Sequence, residues 1–207
     1  MSTRPDTSRE DGAPGGWDRE WERRLELATP QDTARGLFFT SMLEAVRSLG
    51  DEAALARCQQ VLEGQGFVSF FNYPIARLVR LSGAAVHELS GRYGGPEEAA
   101  RALGRKATAD FLGSPVGNAV RLMAGQDIRL FLGGVQTLYR VAASYGERTV
   151  TWHGPARGQL LIRRSFLPVE YHEGVLEKLL TEYGVRHVKV RGQQVAPLDG
   201  TYDFSWE

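Results

Sequence analysis

The chain has 207 residues, 42% of them apolar, and 25 basic against 25 acidic side chains, so its formal net charge is zero. That is enough apolar material for one compact domain, and it lacks the basic excess of a dedicated nucleic-acid or anionic-membrane binder. A single cysteine, Cys58, excludes an internal disulfide and a cysteine-based metal cluster within one chain.

Apart from Met1 and Ala13, residues 1–16 are Pro, Gly, Ser, Thr and charged side chains, which have almost nothing to bury against the entropy of ordering, and predict a disordered tail. The start of the chain has no apolar core of the secretory type, and no apolar run reaches a membrane span, so a cytoplasmic protein is expected. Residues 17–207 predict a single α+β domain. Trp17, Trp21 and Leu25 stand four apart and line one side of a helix over 17–27, stapling this arm to its own domain or to a partner.

The stretch 33–146 reads as a multi-helix bundle. Thr33 or a neighbour caps a helix over 36–49 that Gly50 stops. Asp51 caps a helix to Leu62. Cys58 lies in it among apolar neighbours, as a small buried thiol does. Asn72-Tyr73-Pro74 starts a helix to about Arg92, with Pro in the first turn. Gly95-Pro96-Glu97-Glu98 starts another, its two carboxylates at the positive end of the helix dipole. Ser114-Pro115 begins a short helix to Ala124, and Asp127 caps one over 128–145.

From residue 148 the period changes to alternation, and 148–207 reads as a small antiparallel β-β-α-β-β unit. The spacing predicts a hairpin over 149–153 and 159–166, then a helix over 171–183 with Leu176, Leu179, Leu180 and Tyr183 as one stripe. A strand over 185–191 and a turn at Leu198-Asp199-Gly200 follow. The closing strand puts Tyr202, Phe204 and Trp206 on one face, so the sheet has an apolar side for the helix to cover.

No catalytic or metal signature appears. His87, His153, His172 and His187 are scattered, and His87-Glu88 lacks the second His of a metalloprotease helix. No phosphate loop or Gly-x-Ser-x-Gly elbow is present. The expectation therefore leans away from an enzyme, unless a polar cleft gathers His153, Arg164, Glu170 and His172.

The closing Thr201-Tyr202-Asp203-Phe204-Ser205-Trp206 strand, with Arg35-Gly36-Leu37-Phe38-Phe39 and Ala102-Leu103-Gly104-Arg105, resembles an uncharacterised protein family seen largely in myxobacteria. More distantly, helices followed by such a unit resemble the 4-vinyl-reductase-like, haem-nitric-oxide-binding and TRAPP-type domains. That resemblance implies binding of apolar small molecules, haem or protein partners, and pairing of subunits. It carries no residue-level site, because the cysteines common in 4-vinyl-reductase-like domains are absent.

The expected function is a non-catalytic regulatory or protein-interaction module, a homodimer or partner of another protein, which holds a hydrophobic small molecule between helices and sheet. Phe70, Phe71, Tyr73, Trp152 and Tyr202 are the candidate lining, with Leu78 and Phe204 beside them. Arg77 and Arg80, three apart, could grip an anionic group. The alternatives are a haem or chromophore sensor, with His87 as the axial ligand, and an enzyme with an unrecognised site.

Overall fold

The computed structural model describes residues 16–125 and 127–207. The tail expected over 1–16 lies outside the described residues, except that Gly16 opens the first helix, α1 (Gly16–Glu26). This arm docks on its own chain. Trp21 is buried against Gly83, where an added Cβ would stand 3.3 Å from the indole. Trp17 donates Nε1–H to Glu97 at 2.9 Å.

The helical part runs β1 (Thr33–Arg35), α2 (Gly36–Leu49), α3 (Glu52–Val61), β2 (Asn72–Pro74), α4 (Ile75–Tyr93), α5 (Pro96–Gly113), α6 (Pro115–Ala124) and α7 (Ile128–Ala142). Two expectations need correction. Thr33 is not a helix cap; it begins β1, which pairs antiparallel with β2, and Arg35 precedes α2 in extended conformation without a side-chain cap. Asn72-Tyr73-Pro74 likewise forms a short strand before α4 rather than its first turn. The reason is long-range: Gly36 passes so close to the 67–71 loop that a Cβ there would meet Val68 O at 2.2 Å. Asp51, Ser114 and Asp127 cap α3, α6 and α7 through their side chains.

The C-terminal unit is β3 (Glu147–Gly154), β4 (Arg157–Arg163), α8 (Val169–Glu182), β5 (Lys189–Ala196) and β6 (Asp199–Ser205), in the antiparallel order β3-β4-β6-β5. The fold class is α+β, as expected. β5 is displaced from the predicted 185–191: His187 turns the chain with φ +52°, and the strand runs on through Gly192. An added Cβ at Gly192 would meet Val169 Cγ1 at 2.3 Å, so a side chain there would push α8 off the sheet. The turn correspondingly falls at 197–198, and Asp199 already belongs to β6.

Two apolar clusters result. One joins α1–α5 around Phe39, Ile75, Leu78, Leu81 and Leu89, and Phe166 closes it from the sheet side. The other fills the space between sheet and α8 with Leu160, Ile162, Leu176, Leu180, Tyr202 and Phe204. α5 and α8 form the seam between the clusters. An added Cβ at Gly104 would meet Tyr171 O at 2.0 Å, and one at Gly174 would meet Arg101 O at 2.1 Å. Both edges of the sheet are tied by helix side chains. Gly192 N donates to Glu173 Oε1 at 2.6 Å, and Arg148 N donates to Gln136 Oε1 at 2.5 Å.

Candidate functional site

The eight residues singled out in the sequence do not come together. Tyr202 is 1% exposed and belongs to the filled core beneath the sheet, while Trp152 packs edge-on against Phe204 and carries the Arg129 guanidinium 4.3 Å from its ring centre. Arg77 is half-buried and Arg80 exposed on α4. His87 has 83% of its side chain in solvent. Phe70 and Phe71 do meet, on a loop whose base Tyr73 closes by packing inward on Phe39 and Phe67. Among the described residues His153, Arg164, Glu170 and His172 are likewise not gathered in one cleft: His172 is buried and Glu170 half-buried on α8. His153 is exposed at the β3–β4 turn, and Arg164 holds Asp32 with contacts of 2.6 and 2.9 Å.

The aromatic loop over 67–71 is built upward from its anchors. Phe67 stacks on Phe39 at 4.2 Å, and Tyr73 closes edge-on against both rings. Val68 N donates to the Tyr73 hydroxyl at 2.9 Å. Gly36 N and Leu37 N, two of the orphan donors at the start of α2, donate to Phe71 O at 2.8 Å and Ser69 O at 3.0 Å. Arg35 donates from Nη1 to Phe70 O and from Nε to Val141 O, so the loop and the end of α7 are drawn to the same side. The outcome is an ordered loop that presents Phe70 and Phe71, 66% and 54% exposed, in an edge-to-face pair at 4.9 Å. Leu37, Val68 and Val141 are exposed around it. A large exposed apolar pair held by backbone anchors is unusual for a solvated loop.

Beneath the sheet lies a second, sealed cluster that the sequence did not announce. His172 Nε2 and Ser165 Oγ share a hydrogen bond of 2.7 Å, and both residues are buried. Burial, with the nearby Arg148 and Arg24 charges, pushes the His172 pKa well below the usual histidine range and keeps the ring neutral. Arg24 donates from Nη1 to the carbonyls of Ser165 and Leu167 at 3.0 and 3.1 Å. Burial lowers its pKa against the opposing pull of Glu20. Arg148 is buried with its guanidinium carbon 3.0 Å from the Tyr139 ring centre, and its two terminal nitrogens have no hydrogen-bond partner among the described residues. The ring face takes the place of an anion there. A Ser–His pair invites comparison with a nucleophile and its base. Among the described residues no carboxylate orients the ring, and the adjoining cavity, lined in part by Arg24, Ser165 and Tyr202, has about 10 Å³, the room of one water.

Cys58 is buried and its thiol pKa is pushed up to about 11, first by burial and then by the Glu88 charge, so it is not a reactive thiol. Arg57, its neighbour, is committed to Glu88 at 2.6 Å. No helix among the described residues is long and apolar enough to cross a membrane.

The structure resembles solved H-NOX domains. An H-NOX protein from S. oneidensis in its Fe(II)NO state has a TM-score of 0.64 at 11% identity, over 84% of this chain and 99% of that one. An unliganded Fe(II) H-NOX variant from K. algicida has a TM-score of 0.58 at 12% identity, over 84% and 96%. An oxygen-binding H-NOX domain related to soluble guanylate cyclases gives 0.61 at 11%, over 84% and 95%. At such identity the likeness concerns the fold alone. Neither His87 nor His172 is placed as an axial ligand for haem. His87 points into solvent, and His172 is sealed against Ser165 with its ring edge-on to Tyr202. No sequence among curated proteins matches. Residues 27–207 match the DUF2378 family, described as a protein of unknown function, and the chain belongs to that family.

Proposed function

We propose that this chain is a non-catalytic regulatory module that acts by pairing with a second copy of itself through the aromatic loop over 67–71. The observation that carries the reading is the exposed Phe70–Phe71 pair, fixed by Arg35, Gly36 and Leu37 rather than left mobile. Aromatic side chains preorganised in this way lose little entropy on binding and are the usual energetic centre of an interface. An apolar patch is self-complementary across a two-fold axis, and a neutral chain has no net repulsion to overcome. Leu122 and Met123 of α6 and Leu130 of α7 are also exposed, but they stand on helix surfaces without such a pinned loop.

Of the expected small-molecule site between helices and sheet, little supports a preformed cavity: Leu160, Ile162, Leu180, Tyr202 and Phe204 fill that space. The H-NOX-like fold favours a sensing or regulatory setting, without supplying its ligand. Sedimentation of the full chain and of the double variant Phe70→Ser, Phe71→Ser tests the pairing. The wild type should sediment as a concentration-dependent dimer and the variant as a monomer. A wild type that stays monomeric at every concentration would overturn the proposal.

A further inference from the structure

The outer face of the sheet carries a concavity of about 740 Å³ at the end where β4, β5 and β6 meet. Its wall is cationic. Arg157 of β4 and Lys189 of β5 are both cross-strand partners of Ser205 on β6, so they flank one hydroxyl from either side. With strands about 4.8 Å apart, their backbones stand roughly 10 Å from each other, within reach of one another's long side chains. One row further on, Arg191 lies opposite Asp203. That carboxylate is occupied by Gln159, whose Nε2 donates to it at 2.9 Å. Among the described residues Lys189 and Arg191 have no acidic partner within ion-pair distance, and the Arg157 hydrogen bond, from Nε to His153 O at 2.9 Å, leaves its Nη groups available. His153 sits at the irregularity between β3 and β4, at the rim of the same concavity.

We infer that this groove is a binding site for a small soluble phosphate monoester, with Arg157, Lys189 and Arg191 as the cationic clamp and Ser205 as a central donor. The residues that line the groove set three cations against the one carboxylate of Asp203, on a chain that is neutral overall. A phosphate monoester carries about −1.5 to −2 charges near neutral pH and three acceptor oxygens. A guanidinium fork suits carboxylate and phosphate alike, but several cations around one hydroxyl match the larger charge and three acceptors of a phosphate monoester better than the single charge of a carboxylate. The volume exceeds a phosphoryl group alone, so the organic body of the ester lies in the groove as well. This site is separate from the aromatic loop, and neither reading depends on the other.

The test is an amide chemical-shift titration of the full chain with glycerol 3-phosphate at low salt, with glycerol as the blank. Saturable shifts should cluster at Arg157, Lys189, Arg191 and Ser205. The double variant Arg157→Ala, Lys189→Ala should weaken binding about ten-fold or more, the scale of a lost charge-assisted contact. Asp203→Asn should tighten it, and Arg163→Ala, on the same face but outside the groove, should leave it unchanged. The inference is overturned by any of three results: no saturable shift up to about 10 mM ligand, equal weakening by Arg163→Ala, or binding to phosphatidic acid vesicles without binding to the soluble ester.

Discussion

His172 shows what burial does to a titratable side chain in this chain. Its ring is neutral because desolvation and the Arg148 and Arg24 charges all oppose protonation. The folded pKa lies below the unfolded value of about 6.5, so the unfolded state binds the extra proton. Stability should therefore be unaffected above that pH and should fall as pH drops below it, by at most about 1.4 kcal/mol per pH unit for this one proton. Glu170 acts in the opposite sense, because burial raises its pKa and the folded state takes up its proton first. Urea denaturation of wild type and His172→Asn between pH 7 and about 5 separates the two. The variant should lose the downward slope, and an unchanged slope would contradict the assignment. None of this was legible in the sequence. His172 two residues after Glu170 looks like a helix start, and only the return of Ser165 from β4 shows that the ring is enclosed. Cys58 was legible, because it sits within an apolar helical face.

At the scale of elements, the α5–α8 seam carries the fold. Gly104 and Gly174 bring the two backbones into contact, and Arg101 and Arg105 bridge to Glu173 and Glu177 at 2.8 and 2.9 Å along the same seam. Gly104→Ala would drive a methyl into Tyr171 O and should cost about 2–3 kcal/mol, with the loss seen as a lower denaturation midpoint at unchanged slope. Arg105→Ala, on a half-exposed pair, should cost under about 1 kcal/mol. A Gly104→Ala variant as stable as the wild type would show that the seam can open. The helices with strong start signals, α3, α5, α6 and α7, were readable because Asp51, Pro96, Ser114 and Asp127 act locally. The β6 alternation of Tyr202 and Phe204 was readable for the same reason. β1 and β2 were not, because three-residue strands separated by 36 residues of chain carry no periodic signal and are fixed by the Val68 approach to Gly36. β5 was misplaced because its polar, largely exposed run from Arg191 to Gln194 has no apolar alternation.

For the whole molecule, an H-NOX-like fold is combined with a space between sheet and α8 that Leu160, Ile162, Leu180, Tyr202 and Phe204 fill, and with a surface that bears two separate features, the aromatic loop and the cationic groove. The aromatic candidates Phe70, Phe71 and Tyr73 were visible in the sequence as a cluster, but their exposure was not: Tyr73 turns inward onto Phe39 while the neighbouring pair faces solvent. Haemin added to the purified chain should keep the absorption spectrum of free haemin, and a spectrum of histidine-ligated haem would contradict a filled interior. Native mass spectrometry of the full chain tests the central claim most directly, because it reports subunit number and any retained small molecule together. The account predicts a species at twice the 22.9 kDa chain mass, with no haem-sized addition, that reverts to a single chain in the Phe70→Ser, Phe71→Ser variant. A single chain carrying a bound haem or apolar ligand would contradict it.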